Sequence, residues 1–192
     1  MRESPIHCVE KKLDFLLEME KLKSILRKTR PVGESRYENS AEHSWQVTLA
    51  ALLFMPDGLD SLKVLKMLLI HDIVEIDAGD VFVYDEAGRE AIAAEELKAA
   101  KRLFGMLPAP LDKEFLSLWE EFESRETAES VYAKAMDRVP PVLQNLNSSP
   151  SSWQEHQISR DRVLEKNEEI ANADPVLWEL FSKQIRQASL AV

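Results

Sequence analysis

The stretch LKMLLIHDIVEIDAGDVFVYD, residues 65–85, constrains the fold of this chain more than any other. It places His71 and Asp72 side by side in an apolar run. Residues three or four apart share a face of a helix, so Glu75 would lie one turn from this pair. Taken alone, the pair would more often be a satisfied core histidine beside a capping aspartate. Because no lysine or arginine occurs between Lys66 and Arg89, a divalent cation is the economical partner for the buried carboxylate.

Two other segments supply similar side chains. His43 begins a segment in which Val47, Ala50, Ala51 and Phe54 follow at helical spacing, so the imidazole faces the interior. Asp137 stands among small and apolar residues in AKAMDRVPPVLQN. The resulting mixed nitrogen and oxygen set suits Mn, Co, Fe, Ni or Mg better than a structural zinc, and a single cysteine excludes a thiolate site. The predicted ligands come from three helices: His43, His71, Asp72 and Asp137.

This ordered set resembles the defining pattern of the HD-domain metal-dependent phosphohydrolase superfamily. The flanking words ENSAEHSWQ, HDIVEIDAGD and AKAMDRVPPVLQN are similar to its small single-domain branch, which includes the 5'-deoxynucleotidases. The resemblance covers roughly residues 13–170, most of a typical domain. Two of the four histidines, His7 and His156, lie outside the pattern, which favours one divalent metal ion over two.

The resemblance also implies roles for residues around the metal. Asp72 and Glu75 would be catalytic, with Glu75 orienting water or moving a proton, and Asp80 would contact the sugar or assist the site. Arg27, in the word LKSILR on the first helix, would contact the substrate phosphate. Lys28 follows it where the family often has an aromatic residue, which leaves the preference for base or sugar open.

The composition favours an all-α fold. Only five glycines occur in 192 residues that are rich in Ala, Leu, Glu and Lys. We predict a compact single-domain bundle of the HD-domain type with about seven to nine helices. One domain would cover residues 1–192, with its core at about 13–170 and a closing helix at 175–188.

Four helix boundaries bear on the site. We predict helices over residues 6–27, 43–54 and 62–76, and a helix over 126–146 that Pro140 and Pro141 kink or divide in two. Lys134, one turn before Asp137, would more often be an exposed lysine than a phosphate ligand.

The net charge of −10 disfavours nucleic-acid polymers as partners and calls for local cations around a small anionic nucleotide. No apolar run approaches the length of a membrane span, and the N-terminus lacks the apolar core of a signal peptide. We therefore expect no membrane partner and a cytoplasmic location. A homodimer follows the family's habit, and an apolar stripe near the C-terminus could close the core or face a second subunit.

The leading prediction is a phosphomonoesterase that releases phosphate from deoxynucleoside 5'-monophosphates. Two alternatives stay open at this point. One is a phosphodiester or pyrophosphate hydrolase that acts on another small nucleotide, and the other is a non-catalytic helical binding module.

Overall fold

A computed structural model describes residues 4–190, which fold into α-helices joined by turns and short loops. Two of the eleven α-helices are single turns of four residues, and an isolated bridge between Leu26 and Asn39 is the only β-type pairing in this range. The all-α prediction of about seven to nine helices is confirmed for this part of the chain. The α-helices are α1 Pro5–Met19, α2 Ser40–Leu53, α3 Ser61–Ile70, α4 Glu75–Ala78, α5 Glu86–Phe104, α6 Leu111–Ser124, α7 Ala128–Asp137, α8 Val139–Leu146, α9 Ser152–Glu155, α10 Arg160–Asn167 and α11 Pro175–Gln187; 3-10 helices cover Glu20–Ser24 and Glu168–Asn172.

Helix α3 is central, because it packs against α2, α6 and α7. Its residues Val64, Met67 and Leu68 are fully buried. The apolar residues of this helix therefore lie on several of its faces, as expected for a helix that is surrounded by others. This packing places the C-terminal end of α3 beside both α2 and α7.

Helix α2 begins with a capping box, which fixes the direction of its first turn. The side chain of Asn39 accepts a hydrogen bond from the Glu42 amide at 3.0 Å, and the Glu42 carboxylate accepts one from the Asn39 amide at 3.1 Å. Such a reciprocal pair satisfies two amides that a helix start otherwise leaves unpaired. His43 follows directly and is held in the interior.

The helix predicted over 62–76 ends earlier, at Ile70. Beyond it the amide of Ile73 bonds to the Ile70 carbonyl at 3.2 Å, and the amide of Glu75 to the Asp72 carbonyl at 3.0 Å, as in a 3-10 turn. The His71 side chain also takes the Leu68 carbonyl, an acceptor that a continuing helix would use for its own backbone. His71 and Asp72 therefore lie in a tight turn between α3 and α4.

The helix predicted over 6–27 is also shorter. Helix α1 ends at Met19, and after the 3-10 turn residues 25–29 run antiparallel to residues 38–40. Arg27 therefore lies in this extended segment and not on the first helix. The amides of Arg27 and Glu38 bond to the carbonyls of Glu38 and Thr29, both at 2.9 Å.

The proline pair near residue 140 divides the predicted helix 126–146 in two. Helix α7 ends at Asp137, and α8 begins at Val139 with proline in its first turn, where the missing amide costs no hydrogen bond. Asp137 is thus the last residue of α7.

Helix α11 closes the C-terminal side of the bundle, much as predicted. Phe181 and Ile185 are buried, so most of its apolar stripe completes the core, while Leu180 is exposed. Among the described residues, no helix combines the length and apolar character needed to cross a membrane.

Candidate metal centre

Three of the predicted ligands converge in the interior. Oδ1 of Asp137 lies 2.7 Å from Nε2 of His43 and 3.4 Å from Nε2 of His71. One ligand atom from each of these residues lies within 4.8 Å of the others. Residues that are 94 positions apart in sequence are therefore in direct contact.

Asp72, the fourth predicted ligand, lies against the same group. Its Oδ1 is 3.0 Å from Nε2 of His71, and its Oδ2 is 3.8 Å from Nε2 of His43. The same Oδ2 accepts a hydrogen bond from Arg27 at 2.9 Å. The carboxylate thus faces the histidines on one side and a cation on the other.

The donor set fits a divalent cation. Nδ1 of His71 is 2.7 Å from the Leu68 carbonyl oxygen, which can only accept, so Nδ1 carries a hydrogen and, in the neutral ring, Nε2 is the nitrogen with a lone pair for a cation. That Nε2 is buried and has no hydrogen-bond partner among the described residues. Two imidazoles and two carboxylates suit Mn, Co, Fe, Ni or Mg, and the set does not select among them.

The electrostatics keep the central carboxylate ionised. Burial alone would raise the pKa of Asp137, but its hydrogen bond with His43 and the nearby imidazole of His71 hold that pKa well below its ordinary value. Burial likewise opposes protonation of His71, whereas Asp72 and Asp137 raise its pKa above the ordinary value. The cluster therefore presents negative charge where a cation would bind.

Arg27 supplies the counter-charge that the neighbouring sequence lacks. Its Nη1 lies 2.9 Å from Asp72, 3.5 Å from Asp80 and 3.7 Å from Glu75. Although burial opposes charge, these carboxylates raise the pKa of Arg27 above its ordinary value. The sequence suggested a metal ion as the partner of Asp72, and this is incomplete. Arg27 also compensates the charge of Asp72, and it was overlooked because it lies 45 residues away in sequence.

Glu75 and Asp80 flank this arginine. Glu75 is buried and accepts a hydrogen bond from the Ser40 hydroxyl at 2.5 Å. Burial, followed by the charge of Asp72, raises the pKa of Glu75 well above its ordinary value. Burial also raises the pKa of Asp80, while Arg27 opposes that rise. Both carboxyl groups are thus biased toward holding a proton.

A cavity of about 410 Å³ opens onto the cluster. His71, Asp72 and Asp137 contribute to its lining, and so do Arg27 and Arg138. The rest of the lining mixes further charged residues with aromatic, aliphatic and polar side chains, including Phe82, Tyr84, Ile92, Phe122, Asn145 and Trp153. The cavity therefore combines a charged floor with surface suited to a partly apolar ligand.

Lys134 also lines the cavity, contrary to the expectation of an exposed side chain. It is buried, with its Nζ 2.7 Å from Glu123 and 3.8 Å from the centre of the Phe122 ring. Burial lowers the pKa of Lys134, and Glu123 opposes that effect. The sequence signal was its spacing of three residues from Asp137, which places both on one helix face.

Three other titratable residues, Asp77, Asp85 and His156, are not part of the cluster of predicted ligands. Asp77 pairs with Arg102 at the surface, and the side chain of Asp85 caps α5. His156 stacks near Phe82, with ring centres 4.8 Å apart, away from the four predicted ligands.

Comparison with known proteins gives a consistent result. A match to the HD domain family spans residues 19–178. A solved structure from Magnetospirillum magnetotacticum MS-1, described as a predicted metal-dependent phosphohydrolase, superposes with a TM-score of 0.89 at 39% identity, covering 100% of both chains. An HD-domain phosphohydrolase from Listeria innocua, at 18% identity and a TM-score of 0.66 over 91% of this chain and 89% of that one, shares the fold.

Curated relatives are named 5'-deoxynucleotidase HDDC2. The human protein is 30% identical over 109 residues, which is 57% of this chain and 53% of that protein. The zebrafish (Danio rerio) protein is 24% identical over 78% of this chain and 80% of its own length. The match spans about half the length of the first curated relatives.

Proposed function

This chain belongs to the HD domain family, and from that membership we propose that it is a metal-dependent phosphohydrolase that releases phosphate from deoxynucleoside 5'-monophosphates. The observation that carries the proposal is the convergence of His43, His71 and Asp137 beside Asp72 at the floor of a cavity. The names of the relatives supply the substrate class.

We assign the four ligand roles to His43, His71, Asp72 and Asp137. A divalent cation held there would polarise a phosphoryl oxygen and lower the pKa of a bound water. The protein's own contribution is the ordering of these side chains. The low pKa of Asp137 keeps a carboxylate ready, and the Leu68 carbonyl fixes the orientation of His71.

Arg27, Glu75 and Asp80 would act on the substrate side. Arg27 stands at the cavity wall, where its charge would offset that of a phosphate. The raised pKa of Glu75 suits a group that delivers a proton to the leaving 5'-oxygen or positions the attacking water. Asp80, one residue beyond the glycine that ends α4, is our candidate for the contact to the sugar.

In a chain of net charge −10, binding of an anion needs local positive charge. The cavity lining carries six cationic side chains, among them Arg27, Lys134 and Arg138, beside eight carboxylates, and a bound divalent cation would supply the two further positive charges that balance them. Nearby aromatic and aliphatic side chains offer surface for a base. A nucleoside monophosphate satisfies both features, because it joins a compact anion to a flat, partly apolar ring.

The test is a panel of deoxynucleoside and ribonucleoside 5'-monophosphates, assayed for phosphate release with Mn²⁺ or Co²⁺ added and after chelation. We expect metal-dependent release that is greatest with deoxynucleotides. His71→Ala should abolish it, whereas the matched substitution His7→Ala, at an exposed histidine of α1, should leave it unchanged.

Other outcomes of the panel would redirect the assignment. Release of a nucleotide or of pyrophosphate from larger substrates, with no free phosphate from monophosphates, would favour a diester or pyrophosphate hydrolase. No turnover of any substrate by metal-loaded protein would contradict the proposed activity.

Three further assignments accompany this proposal. We propose one domain over residues 1–192, in agreement with a family match over 19–178. We propose a homodimer, supported by exposed apolar residues on α1 and α2 that are described below. The cytoplasmic location stays a prediction.

A further inference from the structure

Glu38 is a buried carboxylate that lies beside His43, a proposed metal ligand, on the side of the ring away from Asp137. It is 2% exposed, and His43 is fully buried. Oε2 of Glu38 lies 3.7 Å from Nδ1 of His43, the ring nitrogen that points away from Asp137. This Nδ1 has no hydrogen-bond partner among the described residues. A buried donor or acceptor left unpaired in this way costs about 1–3 kcal/mol.

The Glu38 side chain is held in place by neighbours. The Thr29 hydroxyl donates to its Oε2 at 3.0 Å, and the Gln144 amide donates to its Oε1 at 2.5 Å. Its backbone belongs to the antiparallel contact between residues 25–29 and 38–40. The carboxylate therefore has a fixed position, set by the loop that precedes α2 and by α8.

The two proposed histidine ligands differ in what supports them. Nδ1 of His71 donates to the Leu68 carbonyl, which leaves Nε2 free. Nε2 of His43 is 2.7 Å from Asp137 Oδ1, and a carboxylate can only accept, so Nε2 carries a hydrogen in this arrangement. Binding a cation through Nε2 requires that hydrogen to reside on Nδ1 instead. The acceptor facing Nδ1 is Glu38.

Glu38 also reaches the other side of the centre. Its Oε2 lies 3.7 Å from Nε of Arg27, a second buried nitrogen that has no hydrogen-bond partner within residues 4–190. Nη1 of the same arginine holds Asp72 at 2.9 Å. The Glu38 carboxylate thus lies next to His43, and it is linked to Asp72 through Arg27.

We propose that Glu38 is a positioning residue for the metal centre. Its carboxylate accepts a hydrogen bond from Nδ1–H of His43 when Nε2 binds a cation, and so fixes the tautomer and the ring orientation. The proposal rests on the metal-dependent function proposed above. Partners of this kind commonly change metal affinity by about 10- to 100-fold.

The first test measures Mn²⁺ binding by calorimetry on metal-free protein. Glu38→Ala should bind about 10- to 100-fold more weakly than wild type. Glu38→Gln should lose less, because its amide oxygen still accepts from Nδ1–H. The matched control is Glu42→Gln, which changes the glutamate next to His43 that pairs with Arg36 at the surface, and which should bind like wild type.

The second test reads the tautomer directly. Ring ¹⁵N NMR of wild-type protein, with Zn²⁺ as a diamagnetic probe, should show His43 bound through Nε2 with a slowly exchanging hydrogen on Nδ1. In Glu38→Ala that hydrogen should exchange faster. A purely structural role for Glu38 would leave the ring signals of a folded variant unchanged.

The outcomes of these tests distinguish the proposed role of Glu38 from the proposed metal-dependent function. Zn²⁺ coordination through Nδ1 in wild type, or wild-type Mn²⁺ affinity in Glu38→Ala, would overturn the role of Glu38 and leave the metal-dependent function standing. Failure of wild type to bind either cation would overturn both. If Glu38→Ala does not fold, the wild-type spectrum and Glu38→Gln decide.

Discussion

Asp137 is the residue through which the two histidines meet, and its removal should be the most damaging single change. Asp137→Asn takes away a charge while keeping the size of the side chain. We expect Mn²⁺ affinity and kcat/KM each to fall by more than about 100-fold, since even outer partners of a metal are worth 10- to 100-fold. Calorimetry and phosphate release would measure the two effects, with the surface change Asp77→Asn as the control.

Arg27 balances three carboxylates, so its loss should affect stability as well as activity. In metal-free protein, Arg27→Ala leaves Asp72 buried without its cation, and we expect the free energy of unfolding to drop by about 3–5 kcal/mol. Arg36→Ala breaks an exposed pair with Glu42 and should cost far less stability, because solvent screens an ion pair at the surface. Urea unfolding at neutral pH distinguishes the two, and equal costs would show that Arg27 is not the essential counter-charge.

Glu75 should make metal-free protein less stable as pH rises. Its folded pKa is raised above the unfolded value, so its contribution is fully present below the unfolded pKa and is lost as pH rises through the folded pKa. Each unit of pKa displacement corresponds to about 1.4 kcal/mol. Glu75→Gln removes this titration, and its stability relative to wild type should therefore increase from pH 4.5 upward. A constant difference across that range, measured by thermal melting, would contradict the assignment.

At the residue scale, the sequence predicted which polar side chains would meet in the interior, but not the residues that contact and support them. His43, His71 and Asp137 each interrupt an apolar pattern, which marks them as buried polar groups with a purpose. Arg27 and Glu38 stand in a segment without such a pattern. Their contacts depend on how the loop folds against α2, and the spacing of hydrophobic residues in the sequence does not predict that arrangement.

At the scale of the elements, Gly79 separates the two carboxyl groups that flank Arg27. It ends α4 with φ 80° and ψ 159°, a region that is essentially restricted to glycine. We expect Gly79→Ala to cost about 1–3 kcal/mol and to lower activity by displacing Asp80. Gly58→Ala, at φ 92° in the turn after α2, should cost similar stability without loss of activity per folded molecule.

Helix positions were predictable because hydrophobic spacing determines them, whereas two helix ends near the site were not. Nothing in the residues around Ile70 resembles a stop signal, and α3 ends where the His71 side chain takes the Leu68 carbonyl. Likewise α1 ends at Met19, eight residues before its apolar and basic pattern fades. At Ile70 a local side-chain contact outweighs helix propensity, and after Met19 the pairing of residues 25–29 with residues 38–40 does so.

At the scale of the whole molecule, a broad apolar surface remains exposed on α1, α2 and α3. Leu16, Trp45, Leu52 and Leu69 are each more than half exposed and line one groove. Exposed apolar patches of this kind mark interaction sites in soluble proteins. This surface, more than the stripe on α11, supports the proposed homodimer.

Trp45→Lys should therefore convert a dimer to a monomer, because it places a charge in the middle of that surface. Sedimentation velocity over a range of concentrations would measure the change. Val176→Lys alters an equally exposed apolar residue at the start of α11 and should leave the association state as in wild type. A wild-type protein that sediments as a monomer at every concentration would rule out the dimer.

The crowding of Asp72, Glu75, Asp80 and Asp137 around one arginine has a practical consequence. A cation bound by His43, His71, Asp72 and Asp137, beside this crowded group, would connect α2, the turn after α3 and α7, and would therefore stabilise the bundle as a whole. At a hundred times its dissociation constant, such a ligand adds about 2.7 kcal/mol to stability. The melting temperature measured with each candidate ion would then rank the ions by affinity, and no substrate would be needed. Protein purified from media with different trace metals would also differ in thermal stability.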